Sequence, residues 1–241
     1  MSTELILQSL TRKKQYKYPS LLLCLYITLL LITVCLANRL TTVGNLLEPG
    51  GIFTFPLTFT ICDIVGEVYG YAYPRLFIWL GLLAEVIFSV SVTLISHLPP
   101  AAALTQAHAY HIVFDPTLRY VGSGMVALLI GEFANIYLLS KWKIALHGRF
   151  FILRSLLSTA FGQACLTVIV DILNYTGKLS TAHLEWMMLC GYVWKMVYAF
   201  VLVLPAWSII QYLKKIEHVD YYDIHTNFNP FLLTIEHENT H

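Results

Sequence analysis

Charge is what this sequence has least of. Only 12% of its 241 residues are Asp, Glu, Lys or Arg, about half of the roughly 25% usual in soluble domains. With 57% hydrophobic residues and a mean hydropathy of +0.67, that scarcity excludes an ordinary soluble enzyme. A net charge of +1, with no basic patch beyond its sidedness, offers nucleic acid no grip. Cysteine is sparse too. Cys24, Cys35, Cys62, Cys165 and Cys190 all fall in apolar stretches, none in CxxC spacing, so they read as small hydrophobes rather than a disulfide framework or thiolate metal site. The patterns GxxxxGK[ST] and HExxH are both absent. Any use of ATP would need separate subunits, and no cofactor is expected.

Long apolar runs stand in place of these features. A transmembrane helix needs about 20 mostly apolar residues, and six such runs are present: Pro19 to Ala37, Ile52 to Tyr71, Leu76 to His97, Tyr120 to Leu139, Leu153 to Leu173 and Trp186 to Tyr212. The expected fold is therefore all-α, a polytopic membrane protein of six spanning helices. A basic N-terminus (1–18) precedes the membrane domain (19–212), and a tail (213–241) follows it. The first run is too long for a signal-peptide core of about 7 to 15 residues. With the N-terminus in the cytoplasm, eleven of the fifteen Lys and Arg fall on the cytoplasmic side. Arg39, Arg119 and Lys178 fall outside, and Lys195 lies within a span. Basic residues stay in the cytoplasm, so both termini are expected there. In the third connector His108 and His111 stand i, i+3, but with no third ligand in view no metal site is expected.

Six ionisable residues interrupt the runs: Asp63, Glu67, Glu85, Glu132, Asp171 and Lys195. An Asp or Lys at the centre of a spanning helix costs about 2.5 to 3.5 kcal/mol on insertion scales, so several together require an internal polar site. Asp63 and Glu67 are spaced i, i+4 and share one helix face. At a rise of 1.5 Å per residue, Asn38, Asp63, Asp171 and Lys195 form an outer-to-middle group. Glu67, Glu132 and Arg154 form an inner group, expected to be a structural or gating ion-pair network. Glu85 reads as a packing residue.

At these residues the sequence resembles a known family. The stretches "GGIFTFPLTFTICDIVGEVYG", "RSLLSTAFGQ" with Asp171 following, "YVWK" and "DYYDIHTNFNPF" resemble the VUT family of queuosine precursor transporters, from Asn38 to Phe231. The resemblance implies uptake of 7-deazaguanine bases (7-cyano-7-deazaguanine, its 7-aminomethyl derivative, or queuine) across the cytoplasmic (inner) membrane. It also implies a fold similar to the membrane-embedded binding subunits of energy-coupling-factor vitamin transporters. Asn38, Phe55, Pro56, Asp63, Glu67, Gly70, Arg154, Ser158, Gly162, Asp171 and Lys195 match the family's pattern. Glu132 and Asn135 depart from it, standing where Gln and Asp are expected.

A deazaguanine presents a ring N–H beside an exocyclic amine, and one carboxylate can accept from both; Asp63 or Asp171 would suit. Lys195, Asn38 or Gln163 could donate to the carbonyl, and Phe55, Phe59 or Tyr192 could cover the ring faces. The expected partners are that small solute and the lipid bilayer, with the chain working alone, as a homo-oligomer or with separate energising subunits. Two other readings stand beside this one. One is a carrier of another vitamin-like solute. The other is an intramembrane aspartyl enzyme, in which Asp63 and Asp171 would have to share one proton.

Overall fold

The computed structural model describes residues 16–43, 46–101, 106–177 and 179–233. The chain runs through α1 (Tyr18–Leu36), a hairpin of β1 (Leu40–Val43) and β2 (Leu46–Pro49), a 3-10 turn (Gly50–Phe53), α2 (Phe55–Tyr69), α3 (Ala72–Ser96), a short α4 (Ala107–Phe114), α5 (Thr117–Ala145), α6 (Phe151–Tyr175) and α7 (Thr181–Glu217). Six segments are long and apolar enough to span a bilayer. The fold is all-α and belongs in a membrane. Arg12, Lys13, Lys14 and Lys178, four of the charges used to orient the chain, lie outside the described residues.

Burial singles out α2 as the central helix. In its span 72% of the apolar window is buried, against 11% for α7. On α7, Phe200, Val201 and Leu204 face outward, as suits a surface solvated by lipid tails. The α5–α6 contact is set by two glycines. A Cβ on Gly131 would lie 2.6 Å from the Gly162 carbonyl oxygen, and a Cβ on Gly162 the same distance from the Gly131 oxygen. Small residues let backbones approach in lipid, where no hydrophobic force drives helices together.

Two features depart from the sequence reading. The connector between the first two spans holds a hairpin that the apolar runs do not signal, with Thr41 paired to Glu48, and it leads through the 3-10 turn into α2. The helices also overrun their apolar windows. Lys143 lies within α5, and α7 continues to Glu217, carrying Lys214 and Lys215 in its last turn. Hydropathy marks where the bilayer is; a helix satisfies its own backbone and continues past it.

The segment after α7 folds back across one end of the bundle. Asp223 is buried, and its carboxylate accepts from the Tyr71 N–H (3.0 Å), the Ser140 hydroxyl (2.6 Å) and the Thr226 hydroxyl (2.8 Å). Tyr71 is the N-cap of α3, so this carboxylate sits where the helix dipole favours an anion. Arg75 donates to the carbonyls of Asn227 and Asn229, and Trp79 to that of Pro230. Gly70 lets the tail approach, because its φ of +85° is unsuited to other residues and a Cβ there would strike the Tyr221 ring. At the same end, Glu217 accepts from the backbone N–H groups of Lys17 and Tyr18. The start of α1 and the end of α7 therefore lie on one side.

Candidate functional site

A cavity of about 130 Å³ opens between α1, the hairpin, α2, α3, α5, α6 and α7. That is space on the scale of an aromatic ring, since about 150 Å³ accommodates benzene. Its polar lining includes Glu48, Glu85, Asp171, Asn174 and Lys195 beside the hydroxyl groups of Thr33, Tyr120 and Tyr175, with Phe55 among the apolar walls. Glu48 is brought in by the hairpin and stands against Gly191, where a Cβ would lie 3.2 Å from its Oε2. Its Oε1 is buried without a hydrogen-bond partner. Burial raises the Glu48 carboxyl to a pKa of about 7, with Asp171 adding to the rise and Lys195 opposing it. Asp171 and Glu85 accept no hydrogen bond among the described residues. Lys195 donates to the Thr167 hydroxyl at 2.8 Å and forms no direct ion pair among the described residues. The cavity thus carries an excess of acceptors that protein donors do not satisfy.

Lys195 also borders a second, smaller pocket with Phe59, Asp63 and Gln163. At about 10 Å³ it has room for roughly one water. Gln163 is 1% exposed, and neither end of its amide has a partner. Buried amides are nearly always satisfied, so this one points to a ligand or a water.

Asp63 is different, because its oxygens are already used. Asn135 donates to Oδ1 at 2.8 Å, while Ser155 and Thr159 donate to Oδ2, the latter at 3.3 Å. The Asn135 departure thereby acquires a role, since an amide supplies the donor where a second carboxylate would need a proton. No proton-sharing dyad forms: Asp63 and Asp171 line separate pockets, on α2 and α6.

Toward the tail side lies a charge cluster. Glu67 is 2% exposed and meets Arg154 (3.0 Å), Lys214 (2.9 Å) and Lys143 (3.8 Å). Lys143 and Lys214 also reach Asp220, at 2.7 and 2.9 Å. Burial alone would raise the Asp220 carboxyl, but hydrogen bonds from the two lysines leave it below its usual range. Glu67 and Arg154 are therefore ion-paired. Glu132 is not part of this cluster. It lies eleven residues before Lys143, about 16 Å along α5, and accepts instead from the Tyr26 hydroxyl at 2.9 Å.

Two other expected ligands sit elsewhere. Asn38 donates to the carbonyls of Ile112 and Val113 (3.2 and 3.3 Å), tying the end of α1 to α4. The Tyr192 hydroxyl donates to the Ala160 carbonyl (3.3 Å), joining α7 to α6. Both contacts satisfy backbone acceptors, which sequence does not reveal. Glu48 was missed because it lies outside the apolar runs. Its only signal is a lone carboxylate just before Pro49-Gly50-Gly51.

No curated protein and no solved structure matches the chain. A family model described as "Putative vitamin uptake transporter" matches residues 49–210, from the end of the hairpin to the second half of α7, and so takes in most of the cavity lining and both Asp63 and Gln163. The chain belongs to this family of membrane transporters for small solutes.

Proposed function

We propose that this protein imports queuosine precursors, 7-deazaguanine bases destined for tRNA modification, across the cytoplasmic membrane, with both termini in the cytoplasm. The observation that carries the reading is a cavity between the spans whose carboxylates, Glu48, Glu85 and Asp171, accept no hydrogen bond among the described residues. An aminopyrimidinone edge offers adjacent donors that one carboxylate can accept together, and Asp171, which lines the cavity with Lys195 and Phe55, is the acceptor assigned to it. Lys195 supplies a donor for the ring carbonyl, Phe55 an apolar face, and Gln163 an amide that a deeper-seated base would engage. Asp63 acts by positioning Ser155 and Thr159 rather than by touching solute. Energy comes from an ion gradient or from separate subunits.

The test uses cells able neither to make the precursors nor to import them. Expressing this protein and feeding each base in turn should restore queuosine to tRNA. Unchanged queuosine for every base, with the protein verified in the membrane, refutes the substrate and leaves a carrier of another vitamin-like solute. The orientation is checked separately. Reporters fused after Lys215 and in the connector following Lys143 should read as cytoplasmic, and one beside His108 as external; a cytoplasmic His108 overturns the topology.

A further inference from the structure

The third connector, whose His108 and His111 lacked a third ligand in the sequence, gains one in the fold from an unexpected direction. His97 caps the end of α3, and α4 lies beside it with His111 in its last turn and Asp115 at its C-cap. One ligand atom from each of His97, His111 and Asp115 lies within 4.8 Å of the others. His111 Nδ1 is 3.4 Å from Asp115 Oδ1, His97 Nδ1 is 3.9 Å from the same oxygen, and the two imidazoles stand perpendicular with centroids 5.0 Å apart. His108, the neighbour expected to pair with His111, is not in the group.

We propose that His97, His111 and Asp115 bind a divalent transition ion of the zinc class, independently of the solute cavity. A tetrahedral ion with bonds of roughly 2.0 to 2.1 Å holds its ligands about 3.3 Å apart. The His111–Asp115 separation already has that value, and the others close by small rotations of half-exposed side chains. Two imidazoles and one carboxylate select zinc, nickel or copper over magnesium or calcium, which prefer all-oxygen shells. Ligation through His97 Nδ1 requires the ring to turn from the Thr93 carbonyl, which lies 2.8 Å from that nitrogen. Three protein ligands leave one coordination position for water.

The ion would also do something the protein contacts do not. No residue of α4 from His108 to Phe114 is buried, and the pairs of Asp115 with His97 and His111 lie at the surface, a class worth about 0 to 1 kcal/mol. A shared ion fastens the C-terminal end of α4 to α3, beside the last carbonyls that Asn38 holds to α1.

The experiment titrates tag-free, chelator-treated full-length protein in detergent with Co2+, read by its visible ligand-field absorption, and then with Zn2+ in competition. Wild type should take up about one equivalent and release it to Zn2+. Loss of a ligand in His111→Ala or Asp115→Asn should weaken binding at least tenfold, roughly 1.4 kcal/mol, and the His108→Ala control should bind as wild type. His97→Gln is measured beside these as a milder change that keeps the exposed surface polar. Equal uptake by wild type and a His97→Ala/His111→Ala double variant overturns the site, because the metal is then bound elsewhere. Absence of Co2+ absorption together with no Zn2+ uptake by wild type overturns it equally.

Discussion

Replacing Glu67 with alanine should cost the folded protein about 3 to 5 kcal/mol, the range for removing one partner of a buried ion pair. The physical reason is the imbalance left behind. Among the described residues Glu67 alone meets Arg154, Lys143 and Lys214, and the other acid of the cluster, Asp220, is 42% exposed and reaches just the two lysines. Without Glu67, Arg154 retains only backbone carbonyls of Arg149, Leu139 and Gly148 as acceptors, and three cations crowd one end of a bundle with little water. Glu67→Gln keeps the shape and should lose most of the same stability, which separates charge from packing. Arg154→Ala strands the carboxylate instead and should be comparably harmful. Thermal unfolding in detergent measures all three, beside solute binding at matched folded fraction. An unchanged unfolding midpoint with abolished binding in Arg154→Ala would move that residue from the frame of the protein into its transport site.

The second large effect concerns the cavity, and it pits two carboxylates against each other. Asp171→Asn should weaken solute binding about a hundredfold, the 2 to 4 kcal/mol of losing a charge-assisted hydrogen bond and turning an amine toward a donor. Its folding should hardly change, because Asp171 accepts no hydrogen bond from the described protein. Asp63→Asn should do the reverse, since its carboxylate is the common acceptor for Asn135, Ser155 and Thr159. Gln163→Met sharpens the contrast. Removing a buried amide with no partner should leave the protein as stable as before or more so, while binding falls if the solute uses that amide. Direct binding to the three purified variants decides the matter. If Asp63→Asn alone loses affinity at full stability, the recognition carboxylate lies on α2, and the cavity lined by Asp171 is an access path.

These contrasts show which parts of the molecule sequence can express. The six spans were legible because apolarity along a run reports burial in lipid whatever the helices touch. The i, i+4 spacing of Asp63 and Glu67 correctly put them on one inward face. It could not say that two neighbours on that face serve different partners, one a cluster of hydroxyls and an amide, the other three cations. Depth counted from the ends of the apolar runs misplaced Glu132, because α5 outlasts its run and Lys143 takes the position assigned to the carboxylate. Glu48 escaped notice for the opposite reason, since a residue outside the apolar runs appears wet until a hairpin folds it inward. Asn38 and Tyr192 were drawn toward the solute by their chemistry, yet both spend it on carbonyl oxygens.

The returning tail bears on how the molecule is made. Asp223 caps the start of α3 from 152 residues downstream of Tyr71, and Arg75 finds its carbonyl acceptors at a similar remove. At about 5 to 20 residues per second of synthesis, that interval is roughly 8 to 30 seconds. Until then the start of α3 lacks the Asp223 carboxylate, and Arg75 lacks the carbonyls of Asn227 and Asn229. The nascent chain therefore waits at this turn for residues not yet translated, and the tail end of the bundle is completed only when the tail leaves the ribosome.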